Sequence, residues 1–147
     1  MREPTAQVSK TVQAPADEVW RAITTPETVR SFFMGAEVES DFTVGSPIRF
    51  KGAFKGKAYE DKGEILVAEP GKQLSFSHYS PMSGAPDAPE NYHVVTYDLE
   101  PDGARTQVTL TQSNLRGGVT PSDEKQRAEF EKTWASVLDG LDKAVAH

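Results

Sequence analysis

The last segment, "TPSDEKQRAEFEKTWASVLDGLDKAVAH", constrains the fold more than any other part of the chain. Thr120, Pro121 and Asp123 form a capping box with proline at the first helical position. Phe130, Trp134, Val137, Leu138, Leu141 and Val145 then recur at helical spacing. At the α-helical rise per residue, Pro121 to Ala146 spans roughly 39 Å. So long a helix with one apolar stripe requires a sheet of similar length to lie on.

The sheet is written upstream. "AQVSKTVQA" alternates Val8, Lys10 and Val12 against polar neighbours, the pattern of a half-exposed strand. "AEVES" is a short strand, followed by the turn residues "TVGSP". "IRFKGAF" places Ile48, Phe50 and Gly52 on one face, with a turn near Lys55 and Gly56. "AYEDKGEILVAEP" is long, and its internal Gly63 predicts a bulge or bend. After Pro70-Gly71, "KQLSFSHY" puts Leu74, Phe76 and His78 on a common face. Ser80 to Glu90 is proline-rich and expected to be an exposed loop. "YHVVTYDLE" and "TQVTLTQ" complete a hairpin around Pro101-Asp102-Gly103. Seven strands are expected.

Between the first two strands lies "APADEVWRAITTPETVRSFF". Pro15 suits the first position of a helix, and Asp17 and Glu18 favour its positive end. Val19, Trp20 and Ile23 give it an apolar face, with Trp20 expected to anchor it to the sheet. "TTP" ends it, because the residue before proline resists helical geometry. Thr25 then caps a second short helix that presents Val29, Phe32 and Phe33. The fold class expected is α+β: a curved antiparallel sheet of about seven strands wrapped on a long C-terminal helix. Such a sheet tends to leave a space beneath the helix. The helix pair, tipped by Phe32 and Phe33, would close one end of it.

Residues 1–147 are expected to form one domain, with no repeat or linker. A net charge of −6 with mixed signs argues against nucleic acid. The absence of cysteine removes disulfide and thiolate chemistry. With no apolar leader in "MREPTAQVSK" and no run able to span a bilayer, a cytoplasmic location is expected. There is no G-x-S-x-G, HExxH, Walker A or GxGxxG pattern. His78, His93 and His147 share no ligand spacing, so no metal and no cofactor are expected.

"APADEVWRAITTPE", "GEILVAEPGKQLSFS", "VTYDLEPDG" with "RTQVTLTQS", and "WASVLDGLDKAV" together resemble a known family. It is the family of Hsp90 ATPase activator homologues (AHSA1-like), within the START-like (SRPBCC, Bet v 1-like) or helix-grip superfamily. The resemblance runs from about Val8 to Val145 and keeps the order of every element. It implies an apolar cavity under the C-terminal helix, used by some members for lipids, polyketides or aromatic small molecules. A chaperone partner is a further implication. The eukaryotic co-chaperones carry an additional N-terminal domain that contributes to Hsp90 binding, and these 147 residues are not expected to include one.

Phe33, Phe50, Phe76, Phe130 and Trp134 are the candidate apolar lining, or else simply core. Tyr59 and Tyr97, with Tyr79 and Tyr92, offer hydroxyls to orient a ligand or to pack at a sheet rim. His78 is the one candidate catalytic side chain, able to bond a ligand or move a proton; the alternative is a strand-end histidine bonded to backbone. His93 carries the same two readings on the face of Val95 and Tyr97. Glu60-Asp61 is not a carboxylate dyad, since neighbours on a strand face opposite ways; Asp61 shares a face with Gly63 and Ile65. The expected function is binding of a small hydrophobic or amphipathic molecule. The alternatives are an enzyme of cyclase or aromatase type and a chaperone or other partner-binding regulator. Oligomeric state is left open.

Overall fold

The computed structural model describes residues 3–33, 36–54, 56–81, 84 and 86–145. Seven strands form one antiparallel sheet: β1 (Pro4–Val12), β2 (Glu37–Ser40), β3 (Pro47–Phe54), β4 (Lys57–Glu69), β5 (Gln73–His78), β6 (His93–Asp102) and β7 (Arg105–Asn114). The helices are α1 (Ala16–Ile23), α2 (Pro26–Phe32) and α3 (Pro121–Val145). The sheet order is β1-β7-β6-β5-β4-β3-β2. Strands consecutive in sequence, β1 and β2, therefore lie at opposite edges. The α1–α2 connection has to cross the whole sheet to join them, so the helix pair cannot be a surface decoration.

The helix ends follow their local chemistry. At α3 the Asp123 N–H donates to Thr120 Oγ1 at 3.1 Å, and the Thr120 N–H donates to Asp123 Oδ2 at 2.9 Å. This is the reciprocal box that the sequence predicts. At α1 the expectation shifts by one residue: Pro15 is the cap (φ −67°, ψ 158°) and Ala16 opens the helix. Thr25 caps α2 by backbone position only. Its hydroxyl instead donates to the Arg21 carbonyl at 2.6 Å, stitching the two helices together.

α3 lies along β1. Trp134, Val137, Leu138, Leu141 and Val145 are buried, at roughly 1.5–3 kcal/mol for each large side chain removed from water. Its carboxylates also finish the edge strand. The Gln7 N–H donates to Glu131 Oε2 at 3.1 Å, and the Gln13 N–H to Asp142 Oδ1 at 3.0 Å. Backbone donors that an edge strand would otherwise leave open are thereby satisfied. At Gly140 an added Cβ would sit 3.0 Å from Phe32 Cβ, so the absence of a side chain there sets how closely α2 crosses α3.

Candidate functional site

Strand alternation puts Phe50 (β3), Asp61 (β4), His78 (β5) and His93 (β6) on the concave face. The register then lines them up. Phe50 pairs with Asp61, and His78 with His93, which in turn pairs with Asn114 of β7. Between β4 and β5, Lys62 bridges Tyr79 and Ile65 pairs with Phe76, which sets His78 across from Gly63. Gly63 is glycine because a Cβ there would overlap the Ser77 carbonyl oxygen. With that position bare, Asp61 reaches diagonally to the next strand, and its Oδ2 lies 3.0 Å from His78 Nε2.

Both side chains are largely withdrawn from water, His78 at 23% and Asp61 at 13% exposure. A carboxylate oxygen accepts, so the Nε2–H donates, and the ring's second nitrogen, Nδ1, has no bonding partner among the described residues. The other carboxylate oxygen, Oδ1, is buried with no partner among the described residues. The Phe50 ring meets His78 edge-on, centroids 5.6 Å apart, and holds the imidazole from the side. Burial, and then the neighbouring His78, hold His93 below its ordinary pKa, with Asp123 opposing. Asp123 takes a 2.9 Å bond from Asn114 Nδ2, so a polar row runs from Asp61 to the start of α3.

Around this row is a cavity of about 350 Å³. Phe33 stacks on Phe50 (5.2 Å, 24°) and meets Trp134 at 5.7 Å, making one continuous aromatic wall with Phe130 on α3. The Trp134 ring is fixed by its own N–H, which donates to Gln112 Oε1 at 2.8 Å. Gln112 in turn donates to Thr5 Oγ1 at 3.1 Å. Tyr59 lies over Gly52 at the rim, and its hydroxyl has no partner among the described residues. Burial, and then the charge of Asp61, raise its pKa.

Of the candidate residues, the structure brings Phe33, Phe50, Tyr59, His78, Phe130 and Trp134 to this one cavity. Phe76 and Tyr97 are elsewhere. Phe76 is buried beneath Phe50 with centroids 5.5 Å apart, and Tyr97 pairs across to Leu74 and Leu110 deeper in the core. Burial pushes the Tyr97 hydroxyl's pKa far above its ordinary value. Each sits one step or more along the right face but below the floor, whose last apolar rung is Val95. Asp61 and Gln112 also line the cavity and were not expected as ligand contacts, and His93, which carries the same two readings as His78, lines it too. Asp61 did carry a signal, as an acid on the same face as Gly63 and Ile65. His147 lies outside the described residues, and among the described residues no cluster could hold a metal ion. A second groove of about 480 Å³ lies on the convex face by Lys62, Leu66 and Tyr92.

A curved antiparallel sheet gripping a long C-terminal helix over a cavity defines a helix-grip, START-like protein. More narrowly, the chain belongs to the family described as activator of Hsp90 ATPase homolog 1-like proteins, which matches over residues 13–146. A solution structure from Cytophaga hutchinsonii is 43% identical, with TM-score 0.76, covering 94% of this chain and 90% of that one. CalU16 of Micromonospora echinospora is 25% identical, with TM-score 0.68 over 95% of this chain and 74% of its own. The Aha1 dimer of Colwellia psychrerythraea shares the fold at 21% identity, with TM-score 0.70 over 95% and 94% of the two chains. No curated protein sequence matches.

Proposed function

We propose that this protein binds a small hydrophobic or amphipathic molecule between the sheet and α3. The observation that carries this reading is the cavity of about 350 Å³ walled by Phe33, Phe50, Phe130 and Trp134 around the His78–Asp61 pair. Apolar contact would supply affinity at about 25 cal/mol per Å² buried, and the few polar groups would supply orientation. The test is native mass spectrometry of freshly purified protein, followed by solvent extraction. A stoichiometric adduct lost on denaturation supports the reading and names the ligand class. A bare mass, with no binding of added aromatic compounds, overturns it.

A second reading, an enzyme of cyclase type, is favoured by one feature: a histidine oriented by a carboxylate inside an apolar cavity is equipped to move a proton. An adduct that the protein converts, and that His78→Ala leaves unconverted, would establish it. A chaperone partner is supported by the family alone. A pull-down retaining one dominant chaperone would put that reading first. The proposed setting is the cytoplasm, which the cysteine-free composition favours and cell fractionation tests; among the described residues no helix is long and apolar enough to cross a membrane.

A further inference from the structure

We infer that the His78–Asp61 pair makes the cavity selective for uncharged ring compounds bearing a hydroxyl donor, and closes it to carboxylates, fatty acids included. The inference rests on the binding reading above and adds the chemical class of the ligand. Three observations carry it. First, His78 Nε2 engages Asp61, so in the neutral imidazole Nδ1 is a lone-pair acceptor with no partner among the described residues. A ligand O–H satisfies that acceptor; an ether or a carboxylate does not.

Second, among the described residues no lysine or arginine lines the cavity, while Asp61 does. An entering carboxylate would meet the partly buried Asp61 carboxylate with no lysine or arginine beside it among the described residues. Like charges in so water-poor a site repel far more strongly than in bulk solvent. The field at the rim has the same sign, since the charge of Asp61 adds to burial in raising the pKa of the Tyr59 hydroxyl. His93 is a poor compensating cation, since burial above all lowers its pKa.

Third, part of the remaining polar wall is already committed. The Trp134 N–H and the Gln112 side chain satisfy one another, and Asn91 Nδ2 donates to the Pro86 carbonyl at 2.9 Å. Tyr59, Ser80 and Thr133 can donate, but none of them carries charge.

Three probes of one shape decide the matter: 2-naphthol, 2-methoxynaphthalene and 2-naphthoate, titrated by calorimetry at pH 7.5. The expected order puts 2-naphthol first, the ether about tenfold weaker for its missing donor, and the carboxylate about a hundredfold weaker. His78→Leu should bring the first two probes together, and Asp61→Asn should shrink the penalty on 2-naphthoate. Equal affinity for 2-naphthol and its ether, or a carboxylate that binds as tightly as either, overturns the selectivity and leaves the cavity's binding role standing. Failure of all three probes to bind overturns both.

Discussion

Gly63→Ala tests the placement of the site directly, because that residue lets Asp61 and His78 meet. A Cβ at this position would overlap the Ser77 carbonyl oxygen and lie 2.5 Å from its carbon and 3.2 Å from the His78 nitrogen. All three are backbone atoms, so no side chain can swing aside. Restoring ordinary contact requires β4 and β5 to part by about 2 Å. That motion strains the Lys62–Tyr79 pair of hydrogen bonds, at 3.0 and 2.8 Å, and the 2.9 Å bond from the Glu64 N–H to Ser77 Oγ. Overpacking of this kind costs about 1–3 kcal/mol, and two lost backbone bonds about 1 kcal/mol each, for a total of roughly 3–5 kcal/mol. In a domain of this size that corresponds to a fall in Tm of about 10 °C or more. Differential scanning calorimetry reads the loss. The nitrogen shifts of the His78 ring read the loosened contact with Asp61. A variant that melts within about 2 °C of the parent, with its His78 shifts unchanged, would refute the reasoning.

Two further outcomes follow from the same geometry. Phe32 packs on α3 at Gly140, whereas Phe33 borders a space that already exists, so Phe32→Ala should cost about 3–5 kcal/mol in urea unfolding and Phe33→Ala distinctly less; equal losses would make Phe33 ordinary core. Burial works against the Asp123 carboxylate, yet bonds from Thr120 and Asn114 hold its pKa below the ordinary 3.8. A depressed folded-state pKa contributes stability that is present above the unfolded value and lost as pH falls through the folded one. Asp123→Ala should therefore cost about 0.5–2 kcal/mol at pH 7, with the gap to the parent narrowing below pH 3.8; a gap that stays constant from pH 7 to pH 2.5 would refute it.

How far the chain could be read depended on the range of each interaction. Element order, the capping box at Thr120 and the stripe from Trp134 to Val145 are local periodicities, and all were legible. Alternation likewise assigns Phe50, Tyr59 and His78 to one face, because side chains on a strand repeat every second residue whatever lies beside them. Depth along that face is a different quantity. Phe76 and Tyr97 share the alternation of the cavity residues yet fall beneath its floor, since the place where the sheet is covered is decided by α1, α2 and α3 crossing it. The pairing of Asp61 with His78 lay further out of reach. The two are 17 residues apart and meet only because Gly63 admits a close approach of β4 to β5. Sequence by itself determined the parts and the faces they present, which follow from torsions and side-chain size a few residues at a time. The tertiary structure alone decided which polar groups share one water-poor cavity, because register between strands and the line of a crossing helix are properties of the assembled sheet.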